Sequence, residues 1–327
     1  MSKKTRFYFK LKSVLIIVLL SLLFDFIYTN VNKSLFSFNF ENIDSNIHGN
    51  FKNGIKEYYK SPIYGKTLFC TDKNGFRNNC KLQDEKNFDY LLIGNIFTEG
   101  VNLDFEHTFA GIIENHNKKL KFANLGNRSL DIYGVEKKIS DIINSNYVNF
   151  NEVIIFIGPR FFQTNSKVKK IDQTYSFISI KRSIMNNFYL FNNLYHWFLY
   201  KNDKEKIWAY SKNNHYTKKI KIDKKFINTL NNIHMKIKNN DKILSIALYP
   251  YPYHFLYENY DSQFIKTIRD FCILKCNLFI NTYDIFHSKM INKDPWQFIG
   301  EIYLPYSVHF NKNGNKIIAD SVTEFLE

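Results

Sequence analysis

Three places in the chain combine residue types and spacing that chemistry could use. The first is Tyr90-Leu91-Leu92-Ile93-Gly94-Asn95-Ile96-Phe97-Thr98-Glu99-Gly100, an apolar run that breaks at a glycine and passes into a helix start. A strand feeding a tight turn lies where open α/β sheets bind ligands, so Gly94 to Gly100 is the leading candidate region. The second is Arg160, which follows the apolar run 153–157 and Gly158-Pro159. At a sheet edge its guanidinium would clamp a carboxylate or phosphate, or pair with an acidic side chain. The third is His309, two residues after Ser307 and just ahead of Asn311-Lys312-Asn313-Gly314. It reads either as a proton-transfer group or as a strand-end histidine bonded to a backbone carbonyl. Glu99 suits the positive end of the helix dipole. The run Tyr249-Pro250-Tyr251-Pro252-Tyr253-His254-Phe255 would stack on sugar rings or pack as a loop.

Four cysteines form two local pairs, Cys70 with Cys80 and Cys272 with Cys276. Neither has a second Cys-x-x-Cys or a His pair at zinc spacing, so no metal and no cofactor is expected. Two local disulfides and four free thiols both stay open, and the i, i+4 pair needs a locally distorted helix to be bridged. The net charge of +15 is spread among asparagines along the whole length, without an aromatic and basic binding motif. Nucleic acid is therefore not an expected partner, whereas acidic glycans or anionic lipid remain open.

Around these residues the elements fall in order. Basic residues Lys3, Lys4, Arg6, Lys10 and Lys12 precede the apolar run Val14 to Phe24. A helix over 7–28 would rise about 33 Å, enough to span a bilayer, with the N-terminus in the cytoplasm and everything after residue 30 outside. Residues 28–32 offer no small-x-small cleavage site, so the expectation is an uncleaved single-pass anchor over 13–30 behind a basic segment, 1–12. Residues 31–85 show no sustained period and read as an extracytoplasmic lead-in, with a turn at Thr71 to Arg77. From 86 to 327, strands at 88–94, 120–124, 152–158, 243–249 and 277–282 alternate with helices at 105–116, 132–143, 225–237, 263–275 and 316–326. Such alternation predicts a three-layer α/β domain on a parallel sheet, of flavodoxin-like type. The loops 94–98, 126–130, 158–162 and 305–310 should converge at one edge. Residues 162–225 read as an insertion or lid.

The strand sequence from about residue 88 onward and the tail Val308 to Ala319 resemble the SGNH (GDSL-type) hydrolase family. Its first block, Gly-Asp-Ser-Phe-Thr-Glu-Gly, matches Gly94 to Gly100 with Asn95 for the Asp and Ile96 for the Ser. The segment Asp72 to Arg77 is similar to one found just ahead of the catalytic block in membrane-anchored SGNH-like proteins of bacterial surface-polysaccharide systems. The resemblance implies an SGNH-hydrolase-like fold and acyl-transfer chemistry, in which a serine attacks, a histidine takes its proton and an aspartate orients the ring. Position by position it implies a degenerate site. Ile96 replaces the nucleophile, Ser129 the glycine and Arg160 the asparagine of the oxyanion hole, and Ser307 or Tyr306 the acid. Only His309 matches. The expected function is a catalytically inactive, extracytoplasmic membrane-anchored domain that binds a glycan, an acyl-carrying ligand or an envelope-assembly protein. The competing expectations are an ester hydrolase or O-acyltransferase using Thr98, Ser129 or Ser307, and a purely structural envelope protein.

Overall fold

The computed structural model describes residues 3–31, 51–61, 64–128, 130–162, 194, 198, 222, 224–256, 262–305 and 307–326. The chain forms two units, one of Met1–Phe38, Lys60–Gly65 and Asn165–Lys204, the other of Asn39–Tyr59, Lys66–Thr164 and Glu205–Glu327. The described part of the first unit is chiefly α1, Lys3–Val31, a 29-residue helix. Its apolar side chains from Val14 to Leu20 are exposed, while Asp25 is buried. Side chains are described on it only from residue 12 to 28, about 25 Å of helix at about 1.5 Å per residue. Among the described residues no helix is long and apolar enough to cross a membrane.

The sheet comprises β1 (Lys56–Ser61), β2 (Gly65–Thr71), β3 (Arg77–Asn78), β4 (Asn87–Gly94), β5 (Phe122–Asn124), β6 (Asn149–Ile157), β7 (Ile243–Leu248) and β8 (Phe279–Asn281). The spatial order is β1-β2-β3-β5-β4-β6-β7-β8. Its last five strands are parallel, and their order, second-first-third-fourth-fifth, is that of the flavodoxin-type doubly wound sheet. Alternation explains the layers. Leu91, Ile93, Val153, Ile155, Ile157, Ile246 and Leu248 enter one core cluster, whereas Leu92, Ile154, Phe156, Ala247 and Tyr249 enter the other. Successive side chains point to opposite faces, so strands apolar throughout require cover on both.

One face is covered by α4 (Ile132–Ser145), α5 (Lys224–Lys238) and α7 (Ser262–Lys275), whose apolar residues share a cluster with the strands. The other is covered by α3 (Phe109–His116), α9 (Pro295–Ile302) and α10 (Lys312–Thr323). Short helices α2 (Ile96–Glu99) and α6 (Tyr253–Leu256) begin just after strands, and α8 is Thr282–Met290.

Some expectations need correcting. The lead-in is not irregular: it supplies β1, β2 and β3, and β3 pairs antiparallel with β5 through Arg77 and Asn124. Such short strands leave no window for a period to show. The single helix expected over 105–116 is a 3-10 turn, Phe105–His107, followed by α3, because Thr108 accepts a hydrogen bond from Gly111 N and caps a new start. The last helix begins at Lys312, where Asn311 accepts from Asn313 N and Gly314 N. Both cysteine pairs are disulfides, Cys70 to Cys80 and Cys272 to Cys276. The second crosses the end of α7, with Cα atoms 4.5 Å apart. Most of the expected insertion, 162–225, lies outside the described residues.

Candidate functional site at the carboxyl edge of the sheet

The loops after the parallel strands meet. Asn127 N donates to Gly94 O at 3.0 Å, and Tyr249 N to Ile157 O at 3.2 Å. Gly126 packs so closely on the next loop that a Cβ there would collide with the backbone of Thr98 and Glu99. The Phe97 ring lies 5.1 Å from the imidazole of His309. The first and last candidate segments therefore share one edge, as the strand pattern predicts.

Asn95 caps α2. Its Oδ1 accepts from Phe97 N at 3.1 Å and from the hydroxyl of Tyr249 at 2.7 Å. Both bonds use the carbonyl side, and the fully buried Nδ2 has no partner among the described residues. Gly100 ends the helix at φ 70°, a left-handed conformation that favours glycine, and its N–H closes on Ile96 O and Phe97 O. Ile96 stands half-buried at the start of the turn, its side chain packed on the cluster that holds Phe97, Tyr249 and Phe310. No nucleophilic atom is present at that position.

His309 is half-buried, and its Nδ1 lies 2.7 Å from the Ser307 hydroxyl, which also accepts from His309 N at 3.1 Å. Ser307 thus occupies the ring nitrogen that an orienting carboxylate would hold, but without a charge. Ser129 lies outside the described residues. Arg160 lies in the 3-10 turn Pro159–Phe162, with its side chain likewise outside them.

Behind α2 is a buried charge cluster. The Glu99 carboxylate is fully buried, and rather than serving the dipole of a four-residue helix it pairs with Arg128. Arg128 Nη2 reaches Oε1 at 2.6 Å and Arg128 N donates to Oε2 at 2.8 Å. Lys138, also buried, donates to Leu125 O at 3.1 Å. Burial pushes its ammonium down to about 7, with the Glu99 charge opposing. Arg77, from β3, donates to the carbonyl oxygens of Glu99, Gly100 and Leu103. Burial lowers it to about 10, against the pull of Glu99 and Asp104. The cluster fixes the turn through its backbone.

Sequence reasoning missed Lys138, Arg128 and the role of Arg77. Two signals were present: Arg77 ends the Asp-x-x-Gly-Phe-Arg segment, and Lys138 interrupts the apolar stripe of Val135, Ile139 and Ile142 on α4. The aromatic run resolves as a packed loop, since Tyr249, Tyr251, Tyr253, His254 and Phe255 are all buried. His254 Nδ1 lies 2.9 Å from Tyr251 N and 3.1 Å from Tyr251 O. Burial drives its pKa down to about 3, the Tyr251 carbonyl opposing and the His287 charge adding slightly. The folded pKa lies below the unfolded value of roughly 6.5, so this group's stabilisation is complete above that pH. It should be lost by about 1.4 kcal/mol per pH unit as pH falls toward 3. Urea midpoints taken from pH 7 to pH 4 should fall less steeply for His254→Asn than for the wild type; equal slopes would assign the acid lability elsewhere.

Among the described residues no three His, Cys, Asp or Glu side chains converge as a metal site requires. No family model matches the chain. No curated protein matches it. Fold comparison finds similarity to a member of the lipolytic protein G-D-S-L family from Veillonella parvula DSM 2008, at 12% identity and TM-score 0.43, covering 72% of this chain and 96% of the other. A G-D-S-L family protein from Desulfitobacterium hafniense DCB-2 matches at 14% identity and TM-score 0.40, over 73% of this chain and 99% of the other. By its own strand order the unit is a doubly wound α/β domain with its candidate site at the switch-point edge.

Proposed function

We propose that the chain is a membrane-anchored SGNH-hydrolase-like domain that binds a ligand where its relatives in the family it resembles carry out ester hydrolysis. The observation that carries this reading is Ile96, a half-buried apolar side chain at the turn beside His309. A methyl-lined surface there can be neither acylated nor used to stabilise an oxyanion, and a missing oxyanion donor alone costs about 3 to 4 kcal/mol in other hydrolases. The ligand envisaged is a surface glycan, an acyl-carrying molecule or an envelope-assembly protein. Purified full-length protein should turn over p-nitrophenyl acetate no faster than buffer, with or without His309→Ala. Turnover that His309→Ala abolishes would favour an active ester hydrolase or O-acyltransferase, the reading that the His309 and Ser307 contact keeps in play.

The anchored topology belongs to the same proposal. It is supported by the exposed apolar run from Val14 to Leu20 on α1 and by the basic residues Lys3, Lys4, Arg6, Lys10 and Lys12 that precede that run. The two disulfides fit an oxidising compartment outside the cytoplasm. Protease added to intact spheroplasts should degrade the main domain; full protection would rule the topology out.

A further inference from the structure

A pocket of about 410 Å³ is lined by residues of α8, α9 and α10 and of the loop between α8 and α9. Its size lies in the range of small-molecule sites, about 300 to 1,000 Å³. None of Asn95, Ile96, Ser307 and His309 lines it, so what it holds does not depend on the binding role proposed for that edge. The floor is apolar: Phe298 and Ile302 belong to the buried core, and Ile317 packs against it. The walls are charged, with Lys289, Lys293 and Lys316 set among Glu301 and Asp320.

Two of the three lysines are engaged. Lys293 Nζ donates to Glu301 Oε2 at 2.6 Å, and Lys316 Nζ lies 3.0 Å from both carboxylate oxygens of Asp320. Lys289 is exposed and has no ion pair or hydrogen bond among the described residues. Three ammonium groups against two carboxylates leave one positive charge, and it stands on Lys289. A ligand that completes this lining therefore brings one anionic group. It also brings hydroxyls. An ionised carboxylate offers about four acceptor positions, and Lys293, Gln297 and Lys316 fill only part of those on Glu301 and Asp320. A doubly charged phosphate group would set an excess of negative charge against both acids.

We infer that this pocket binds an acidic sugar of the uronate type, with its carboxylate on Lys289, its hydroxyls on Glu301 and Asp320, and the C–H face of its ring on the apolar floor. The contact to Lys289 is charge-assisted and supplies the strength; the two acids supply the preference for a hydroxylated ring over a bare carboxylate.

The test is saturation-transfer NMR of full-length protein in detergent micelles, titrated with glucuronate, glucose or acetate. Glucuronate should give a saturable signal. Glucose lacks the charge and acetate the hydroxyls and ring, so each should bind more weakly by about tenfold or more, the scale of one lost hydrogen bond to a charged group. Lys289→Glu, at an exposed position where the fold is not at stake, should abolish the glucuronate signal, and Asp320→Ala should weaken it. Wild-type protein that gives no glucuronate signal would overturn the site. A signal of equal strength in Lys289→Glu, as uptake by the micelle would produce, would overturn it too. Acetate bound as tightly as glucuronate, or an unchanged affinity in Asp320→Ala, would overturn the sugar assignment.

Discussion

Glu99→Gln should destabilise the second unit by about 3 to 5 kcal/mol, enough to unfold a marginal domain at 37 °C. The carboxylate is wholly inside the protein and faces three cationic side chains, Arg128, Lys138 and Arg77, the last two themselves buried. Removing the charge leaves these cations with reduced compensation in a medium where each would otherwise demand it. The amide also loses one acceptor, so either Arg128 N or Arg128 Nη2 forfeits its bond. A contrast fixes the scale. Lys316 and Asp320 pair at 3.0 Å on the surface of α10, and Asp320→Asn should cost only about 0.3 to 0.5 kcal/mol. Guanidinium titrations of the two variants measure the difference directly. Similar losses for both would mean that the buried cluster is not what holds the turn between β4 and α2.

The second large effect follows from the proposed binding role. Ile96→Ser alone should give no ester hydrolysis above buffer, because the new hydroxyl would face a histidine whose orienting partner is a neutral serine. Combining Ile96→Ser with Ser307→Asp should raise turnover of p-nitrophenyl acetate above the single variant by on the order of 10²-fold, the lower range for a positioned general base. The gain is expected to be strongly non-additive, since nucleophile, base and orienting acid act as a unit. Ser307→Asp by itself should give nothing. Activity in Ile96→Ser without the acid would show that Ser307 already orients His309 for proton abstraction.

How far the sequence carried is clearest from particular elements. Strands β4, β6 and β7 were legible because parallel strands buried on both faces read as unbroken apolar runs, and Gly94, Gly158 and Tyr249 mark their ends. The strands β1 to β3 were not, since β3 has only two residues and its character comes from pairing with β5, a long-range contact. Helices α8 and α9 also escaped notice; their starts, Thr282 after Asn281 and Pro295 after the capping Asp294, are local signals that went unweighed. At the site, Ile96 and His309 were found through a family pattern, and the pattern also pointed to Ser307. What no spacing could supply was the contact of Ser307 with the His309 ring. Nor could it show that Glu99 turns inward to Arg128 instead of serving a helix dipole, because the partner lies 29 residues away.

The most direct measurement of the central claim is labelling of the purified full-length protein with a serine-directed fluorophosphonate, read by intact mass and peptide mapping. An isoleucine at position 96 offers no oxygen to phosphonylate. The expected result is an unmodified mass, identical for wild type and His309→Ala. Stoichiometric adduct at Thr98, Ser129 or Ser307, abolished by His309→Ala, would contradict the binding-domain account and identify the chain as a working hydrolase with a displaced nucleophile.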